Sequence, residues 1–456
     1  MSLAAQYAHT NPRMRVMTDL LAKLYPDHLA ALKQRSDAAL ARGGHDHLVI
    51  AAGQPRIQFL DDRPYPFAVN PHFKHWLPVT KAPGSWIVYT PGQRPKLVYL
   101  QPHDYWHVVP DAPAGYWVEH FEIAIIREAD EAKAHLPKDI ARCAIIGEDS
   151  AAIGEYLPNN PESVLNYLHW HRAYKTDYEL GMMRVASKLG VRAHRAAEAA
   201  FRNGASEYDI NTAYLNAVHE TENELPYTNI IALNQHGAVL HYMDLNRAPP
   251  AHSNSFVIDA GASFHGYASD ITRTYAAKQA GEFQALIDAV DSAQKSFVEK
   301  VQKGTNYADL HLHAHHALAG ILRDQGFIRM SAEAAVASGV SSAFFPHGLG
   351  HPIGLQVHDV GGFQKDEGGG TIAKPPGHPY LRMTRTLEPR MVVTIEPGLY
   401  FIDMLLAELK AKPEAKDVAW DKVDYFRQYG GIRIEDDVAC GETMPENLTR
   451  DAFSAV

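Results

Sequence analysis

The chain has 456 residues and a mass of 50.5 kDa, a length that fits two large domains or about three of average size. Its 46% hydrophobic and 21% charged residues are typical of a soluble globular protein and exclude disordered, collagen-like and coiled-coil chains. The net charge of -10 disfavours a nucleic-acid-binding protein, which more often carries a basic surplus. The two cysteines, Cys143 and Cys440, exclude a disulfide scaffold and indicate a reducing compartment.

The first residues contain no apolar stretch long enough for a signal-peptide core, and no run of about 18 apolar residues occurs in the sequence. We therefore expect a cytoplasmic protein without a transmembrane helix or a membrane partner. Residues 1–174 alternate helical and strand-like segments, which predicts an α/β amino-terminal domain. The predicted helix covers residues 14–41, and the predicted strands cover residues 47–53, 86–89, 96–100 and 143–147.

A second domain is predicted over residues 175–456. It begins with a capping box, Thr176-Asp-Tyr-Glu179, in which two side chains satisfy free backbone N–H groups at a helix start. Asn203-Gly204 predicts the end of that helix, and Ser206 predicts the start of the next one. Further helices are predicted at 281–302 and 306–325, and strands at 228–234, 255–260, 268–276, 391–396 and 431–439. This mixture indicates an α+β domain with helices packed on antiparallel strands.

Two acids lie on a predicted hairpin within the segment from Ser255 to Tyr275. A turn centred near Phe264 and His265 would place Asp259 and Asp270 opposite each other on one face. Like charges that face each other across a ladder destabilise it by up to about 1 kcal/mol, and by more when they are buried. A divalent cation between the two carboxylates would remove that cost.

The same pattern occurs twice more, because Glu396 and Glu435 each end an apolar strand. A glycine-rich segment adds three histidines with almost no other charge, His347, His351 and His358. One histidine with four carboxylates is an oxygen-rich ligand set that suits Mn²⁺, and less distinctively Co²⁺ or Zn²⁺. Two such ions about 3.5–4 Å apart activate a water molecule and polarise a carbonyl or phosphoryl oxygen. The predicted chemistry is metal-assisted hydrolysis.

The order and setting of these five residues resemble the dinuclear site of the pita-bread metallopeptidases. Within that superfamily the chain is most similar to the bacterial proline dipeptidases, including the group also called organophosphorus acid anhydrolases. The similarity runs from about residue 15 to residue 450 and includes the amino-terminal segment from Gln58 to Phe67. The resemblance implies a creatinase-like amino-terminal domain, a pita-bread catalytic domain, a homodimer, and cleavage of Xaa-Pro dipeptides with release of proline.

The resemblance also implies a role for individual residues. Two divalent ions per subunit are implied, and Mn²⁺ is the metal expected on chemical grounds. Their implied ligands are Asp259, Asp270, His351, Glu396 and Glu435, with Asp270 and Glu435 bridging. Glu396 is the implied proton shuttle, His241 and His358 contact the substrate and the tetrahedral intermediate, and Arg433 orients the site. The implied substrate-binding residues are His347, Arg382 for the free carboxylate, the pocket-wall residues Tyr227, Tyr307, Leu381 and Val357, and Asp62 for a neighbouring subunit's pocket.

Several alternatives remain open from the sequence. An aminopeptidase that acts on longer Xaa-Pro chains is the main competing activity, and triester hydrolysis is a possible side activity by resemblance. A binding module of the same fold is disfavoured because all five ligands are present. Pro352 replaces a histidine that close relatives carry directly after the ligand, which leaves the polarity of the pocket open.

Some residues also have a purely structural interpretation. Tyr227 and Tyr307 are equally compatible with core aromatics, and Arg433 with a structural ion pair. The histidines at 311, 313, 315 and 316 are a second candidate group, in which His311 and His315 share a helix face. Because no glutamate of the H-E-x-x-H kind accompanies them, a separate zinc site is disfavoured.

Overall fold

The computed structural model describes the backbone of residues 12–456 and the side chains of residues 19–456. The segment for which no signal-peptide core is expected begins outside these described residues. The chain divides into two compact units, of which the first ends at Met182 and includes Asp366–Gly369. The second unit comprises Met183–Lys365 and Gly370–Val456. This division falls inside a helix, whereas the division at residues 174 and 175 that we predict from the sequence precedes that helix.

The first unit contains a mixed five-stranded sheet in the order β4-β3-β2-β1-β5. The pairs β1–β5 and β3–β4 are parallel, and the pairs β1–β2 and β2–β3 are antiparallel. Val49, Trp86, Val98 and Ile145 lie in its hydrophobic core. The predicted α/β class is confirmed for this unit. Its elements are α1 (Pro12–Gly43), β1 (His47–Ala51), α2 (Pro71–Trp76), β2 (Trp86–Tyr89), β3 (Lys96–Leu100), β4 (Glu122–Ile126), β5 (Cys143–Ile146) and α3 (Glu162–Arg172), with short 3-10 helices at Val118–His120, Ala129–Ala134, Ile140–Arg142 and Asp149–Ala151.

The helices that follow begin and end at the predicted signals. In the capping box before α4 (Asp177–Arg202), the Thr176 amide donates to Glu179 Oε2 at 2.8 Å and the Glu179 amide donates to Thr176 Oγ1 at 3.3 Å. The helix ends just before Gly204, whose φ of 77° is accessible to glycine at little cost. Ser206 then caps α5 (Glu207–Val218) by accepting a hydrogen bond from the Asp209 amide at 3.1 Å.

The second unit has short antiparallel strands and helices, so its predicted α+β class is confirmed. Its larger sheets have the orders β10-β7-β6 and β13-β16-β17, and β14 pairs with β15. The strands are β6 (Ile230–Leu233), β7 (Ser255–Asp259), β8 (Ser263–Phe264), β9 (Tyr267–Ala268), β10 (Thr272–Ala276), β11 (Gln364–Asp366), β12 (Gly369–Thr371), β13 (Val392–Ile395), β14 (Gly398–Tyr400), β15 (Gly431–Arg433), β16 (Asp436–Ala439) and β17 (Glu446–Asn447). The remaining helices are α6 (Gly281–Val298), α7 (Tyr307–Asp324), α8 (Ala332–Ala337), α9 (Val340–Phe344), α10 (Asp403–Lys410), α11 (Trp420–Phe426) and α12 (Leu448–Ala455), with 3-10 helices at Asn234–Ala238, Pro413–Asp417 and Arg427–Tyr429.

Two isolated bridges connect the strand ends of the second unit. Thr272, the first residue of β10, pairs with Glu435 between β15 and β16, and Pro352 pairs with Val393 of β13. These bridges bring together segments that lie far apart in the sequence. Within the part of the chain that the structure describes, no helix is both long and apolar enough to cross a membrane.

Candidate metal centre

Asp259 and Asp270 lie close together, although not directly opposite each other as we predict from the sequence. The turn is centred between His265 and Gly266, whose φ angles of 50° and 88° are those of a tight hairpin, so Asp259 pairs with Thr272. The Tyr227 hydroxyl lies 2.8 Å from Asp259 Oδ1 and 2.6 Å from Asp270 Oδ1. Because a hydroxyl has one hydrogen, it can donate to one of these carboxylates at a time.

Glu435 reaches the same place through Thr272. Its amide donates to the Thr272 carbonyl at 3.0 Å, and the Thr272 hydroxyl donates to Glu435 Oε2 at 2.6 Å. Thr272 therefore connects the strand that ends in Asp259 with the segment that carries Glu435. The sequence pattern contains no signal for this threonine, because its role depends on a pairing between residues more than 160 positions apart.

His351 enters the cluster from the glycine-rich segment. Its amide donates to Thr394 Oγ1 at 3.0 Å, and Gly350 before it is so close to β13 that a Cβ would lie 2.2 Å from the Thr394 carbonyl oxygen. The His351 Nδ1 lies 3.0 Å from the Pro352 carbonyl, which can only accept, so Nδ1 carries the proton. This leaves Nε2 facing the acids, 3.3 Å from Asp270 Oδ2. In the metal-free protein the hydrogen bond to Asp270 outweighs burial and raises the pKa of His351 to about 9, so Nε2 is protonated too and would release that proton when it binds a metal ion.

Glu396 completes the set of five predicted ligands. Its amide donates to the Leu349 carbonyl at 2.8 Å, and its Oε1 lies 3.7 Å from His351 Nε2. Its Oε2 lies 3.6 Å from His347 Nδ1, on a side chain that is 16% exposed. Of the predicted ligands, Asp270, His351 and Glu435 are buried and offer ligand atoms within 4.8 Å of one another.

The electrostatics of the cluster fit the binding of cations. Burial raises the pKa of Glu435 well above its ordinary value, with further contributions from Asp270 and Glu396. Burial also raises the pKa of Glu396 to about 7, and that of Asp259 although Arg433 opposes the shift. His351, by its hydrogen bond and charge, outweighs burial and lowers the pKa of Asp270. Three carboxylates with raised pKa values, together with Asp270 and the His351 nitrogen, form an oxygen-rich donor set with excess negative charge, which divalent cations would balance.

Arg433 lies within the acid cluster. Its guanidinium donates to Asp259 Oδ2 at 2.7 Å, to the Tyr400 hydroxyl at 3.0 Å and to Thr272 Oγ1 at 3.3 Å. The Tyr400 hydroxyl also lies 2.8 Å from His347 Nε2. Tyr400 thus links two predicted site residues, and the sequence gives no signal for it beyond its position on the strand after Glu396.

The structure also places predicted pocket residues near the cluster. The His358 ring packs edge-on against His351, with centroids 4.4 Å apart. His241 and Arg382 are both exposed, and their charges contribute to the lowered pKa of His358, which is about 4 chiefly through desolvation. Burial lowers the pKa of His347 to about 3, with Arg433 as the next cause.

For the remaining predicted site residues, the structure shows contacts outside the acid cluster or only their exposure. Tyr307 is fully buried and donates to the Thr394 carbonyl at 2.7 Å, so it supports the strand behind His351. Leu381 is buried against Gly348, and Val357 is partly exposed in the segment between His351 and His358. Asp62 is an exposed residue of the first unit, and its role at a neighbouring subunit stays a prediction.

Comparisons with models of known protein families show which family the chain belongs to. The family model described as metallopeptidase family M24 matches residues 181–442, and the model described as Xaa-Pro dipeptidase, N-terminal domain, matches residues 23–170. The chain therefore belongs to metallopeptidase family M24.

Individual relatives narrow this class. The chain is 61% identical over 432 residues to the Xaa-Pro dipeptidase of Stenotrophomonas maltophilia strain K279a, with 95% of this chain and 98% of that protein covered. It is 60% identical over 435 residues to the Xaa-Pro dipeptidase of Xanthomonas axonopodis pv. citri, with 95% and 99% covered. The resemblance to the bacterial proline dipeptidases is confirmed.

Solved structures of lower identity confirm the fold. A zinc-substituted aminopeptidase P of Escherichia coli in complex with product gives a TM-score of 0.69 at 21% identity, with 94% of this chain and 95% of that chain covered. The Pseudomonas aeruginosa aminopeptidase gives a TM-score of 0.70 at 22% identity, with 93% and 95% covered. The predicted architecture of an amino-terminal domain and a pita-bread catalytic domain is confirmed.

Proposed function

We propose that this chain is a metal-dependent dipeptidase that cleaves Xaa-Pro dipeptides and releases proline. The observation that carries the proposal is the buried cluster of Asp270, His351 and Glu435 in the unit that matches the metallopeptidase family. Two partly buried carboxylates, Asp259 and Glu396, lie beside this cluster. The names of the relatives at about 60% identity support the substrate class. A competing aminopeptidase activity has less support, because the aminopeptidases of similar structure are only 21–23% identical to this chain.

The five predicted ligands would hold two divalent ions, with Asp270 and Glu435 shared between them. Their four carboxylates favour Mn²⁺, a cation that prefers oxygen ligands. When bound, such ions lower the pKa of a water molecule and polarise the scissile carbonyl. The part played by the protein is to fix the carboxylates before any ion binds, through the Tyr227, Thr272 and Arg433 hydrogen bonds.

Glu396 is the proposed proton carrier. Burial raises its pKa to about 7 in the metal-free protein. Bound cations would lower this pKa and keep Glu396 ionised, so that it can accept a proton and pass it on. Its Oε2 faces His347 on the partly open side of the cluster. The bond to proline has an imide nitrogen without N–H, so this nitrogen must be protonated as it leaves. We assign that proton to Glu396.

Arg382 is the proposed clamp for the free carboxylate of proline. Its side chain is exposed, and among the described residues it makes no ion pair, so its charge is available to a ligand. The charges of Arg382 and His241 both act on His358, which is consistent with a pocket that these three residues share. A clamp for the carboxylate disfavours chains that extend beyond proline, because a peptide bond there carries no charge.

The first experiment compares cleavage of Ala-Pro and Ala-Pro-Ala, measured as release of the first alanine, by chelator-stripped protein with and without Mn²⁺. Metal-dependent cleavage of the dipeptide alone is the expected result. Cleavage of both substrates would contradict the role of Arg382 and favour the aminopeptidase activity. The proposed side activity toward organophosphorus compounds is tested with the same metal-loaded protein, by measuring release of the leaving group from a triester substrate.

Two variants test the assigned roles. Glu396→Gln should abolish turnover while most of the metal stays bound, as measured by elemental analysis. Arg382→Ser should raise KM for Ala-Pro by about 10- to 100-fold, the value of a lost charged hydrogen bond of about 1.5–3 kcal/mol. Arg247→Ser is the matched control, because Arg247 is also exposed in the second unit. A homodimer and a cytoplasmic location stay predictions from the sequence.

A further inference from the structure

Three histidines form a second cluster in the catalytic unit. Helix α7 places His311 and His315 one turn apart on its buried face, where each is 1% exposed. His378 joins them from the loop between β12 and β13 and is partly exposed. The three rings are mutually in contact, with centroids 4.6–4.7 Å apart, and each offers a ligand atom within 4.8 Å of the others.

Two buried nitrogens of this cluster have no hydrogen-bond partner among the described residues, His311 Nδ1 and His315 Nε2. The other nitrogen of His315, Nδ1, lies 3.1 Å from the Ser341 hydroxyl. The other nitrogen of His311, Nε2, lies 2.9 Å from His378 Nδ1. Buried polar atoms are nearly always paired, so the unpaired Nε2 of His315 calls for a missing partner. The Nδ1 of His311 is not part of this argument, because Nε2 is the His311 nitrogen that faces His378.

We propose that His311, His315 and His378 form a second metal site, which takes an imidazole-binding divalent ion such as Zn²⁺. A neutral set of three nitrogens differs in kind from the carboxylate-rich centre and suits zinc, with a water molecule as the fourth ligand. Ser341 would orient His315 from behind, as hydrogen-bond partners of metal-binding histidines commonly do.

The distances need little adjustment for this role. Two nitrogens bound to one zinc ion at about 2.0–2.1 Å lie roughly 3.3 Å apart in tetrahedral geometry. The 2.9 Å pair of His311 and His378 would open by a few tenths of an ångström, which the surface loop of His378 can accommodate.

The protonation states agree with this geometry. Burial lowers the pKa of His311 to about 2 and that of His315 to about 3, and it also lowers the pKa of His378. All three imidazoles are therefore neutral at physiological pH, so no proton has to leave before a metal ion binds.

The bound ion would hold in place the loop between β12 and β13, which carries His378 and continues into the proposed substrate pocket. His378 precedes Leu381 and Arg382 by three and four residues. Phe345 lies between the two regions, with its ring centroid 4.8 Å from that of His315 and 4.9 Å from that of His347. The histidine site is thus a positioning site for the pocket wall, and its existence does not depend on which substrate the enzyme cleaves.

Zinc stoichiometry tests the proposal. The chelator-stripped full-length chain is dialysed against Zn²⁺, and bound zinc per chain is measured by elemental mass spectrometry. We expect His378→Gln and His315→Gln to bind one equivalent fewer than the wild type, whereas His316→Gln, an exposed histidine on the same helix, should match it. Because His378 lies in a surface loop, its variant keeps the test decisive if the His315 variant fails to fold.

A second readout concerns the loop. Zn²⁺ should slow hydrogen exchange of residues 372–381 in the wild type and in His316→Gln, and should have no such effect in His378→Gln. Equal zinc stoichiometry in the wild type and His378→Gln would overturn the proposal and leave a metal-free cluster of packed histidines.

Discussion

Replacement of Arg433 by methionine is a direct test of how the acid cluster is held. Arg433 is 5% exposed and donates to Asp259, Tyr400 and Thr272. Methionine keeps much of its length but removes the charge and all three donors. Removal of one partner of a buried ion pair costs about 3–5 kcal/mol, because the remaining charge is left without compensation. We expect Arg433→Met to lose that much free energy of unfolding in metal-free protein.

The assay is urea unfolding in the presence of a chelator. Unfolding is monitored by hydrogen exchange of the strand that carries Arg433, so that the signal reports on the second unit. Arg427→Met is the matched control, because Arg427 pairs with Asp403 at 2.6 Å on an exposed surface. Such surface pairs contribute about 0–1 kcal/mol. Addition of Mn²⁺ should reduce the loss in Arg433→Met, since a cation near Asp259 replaces the missing charge. Equal losses in the two variants would refute this account of the cluster.

Two further predictions concern single residues. Gly350→Ala should lower the affinity for Mn²⁺, measured by calorimetry, because its Cβ would lie 2.2 Å from the Thr394 carbonyl oxygen and displace the adjoining ligand. Burial lowers the pKa of His28 to about 4, so the folded first unit holds a neutral imidazole that would charge in the unfolded chain below a pKa of about 6.5. The contribution of His28 to the free energy of unfolding should therefore be lost as the pH falls from about 6.5 to 4, and the whole loss should be about 3 kcal/mol. His28→Gln should make the free energy of unfolding, measured in urea, less dependent on pH over that range.

Each of these predictions has an internal control. Gly320 lies in helix α7, and apart from its chain neighbours and the nearby helix backbone no atom lies within 4 Å of an added Cβ, so Gly320→Ala should stabilise the chain by about 0.5–1 kcal/mol. A loss of metal affinity in that variant as well would contradict the steric explanation for Gly350. An unchanged acid dependence in His28→Gln would show that other groups, such as His75 and Glu179 next to it, carry the effect.

The sequence predicts elements well where the signal is local. The capping boxes and glycine stops determine the helix ends around Thr176 and Gly204, and acids at the ends of apolar strands identify four of the five predicted ligands. The hairpin between β7 and β10 is an element whose strand pairing the sequence pattern predicts wrongly. A shift of the turn by one residue changes the partner of Asp259 from Asp270 to Thr272, and only the positive φ angles at His265 and Gly266 define it.

Contacts between distant segments are the other part that sequence reasoning misses. A zinc site at His311 and His315 is disfavoured by the sequence because no glutamate of the H-E-x-x-H kind accompanies them, yet His378, 67 residues beyond His311, joins their cluster. Tyr400 is likewise an ordinary strand residue until its hydroxyl is seen between Arg433 and His347. Such contacts form only when distant strands and loops come together in the folded chain, so the spacing of residues in the sequence does not predict them.

The charges of the cluster also bear on the number of ions. Asp259, Asp270, Glu396 and Glu435 would carry four negative charges when ionised, and Arg433 carries one positive charge. One divalent ion would leave the buried site with a net charge of about -1, and two would leave about +1, by the simple addition of charges. A buried site with a single positive charge is complementary to the oxyanion that develops during peptide hydrolysis. Electrostatics therefore favours two ions, and equilibrium dialysis should give two equivalents of Mn²⁺ per chain, whereas one equivalent would contradict this argument.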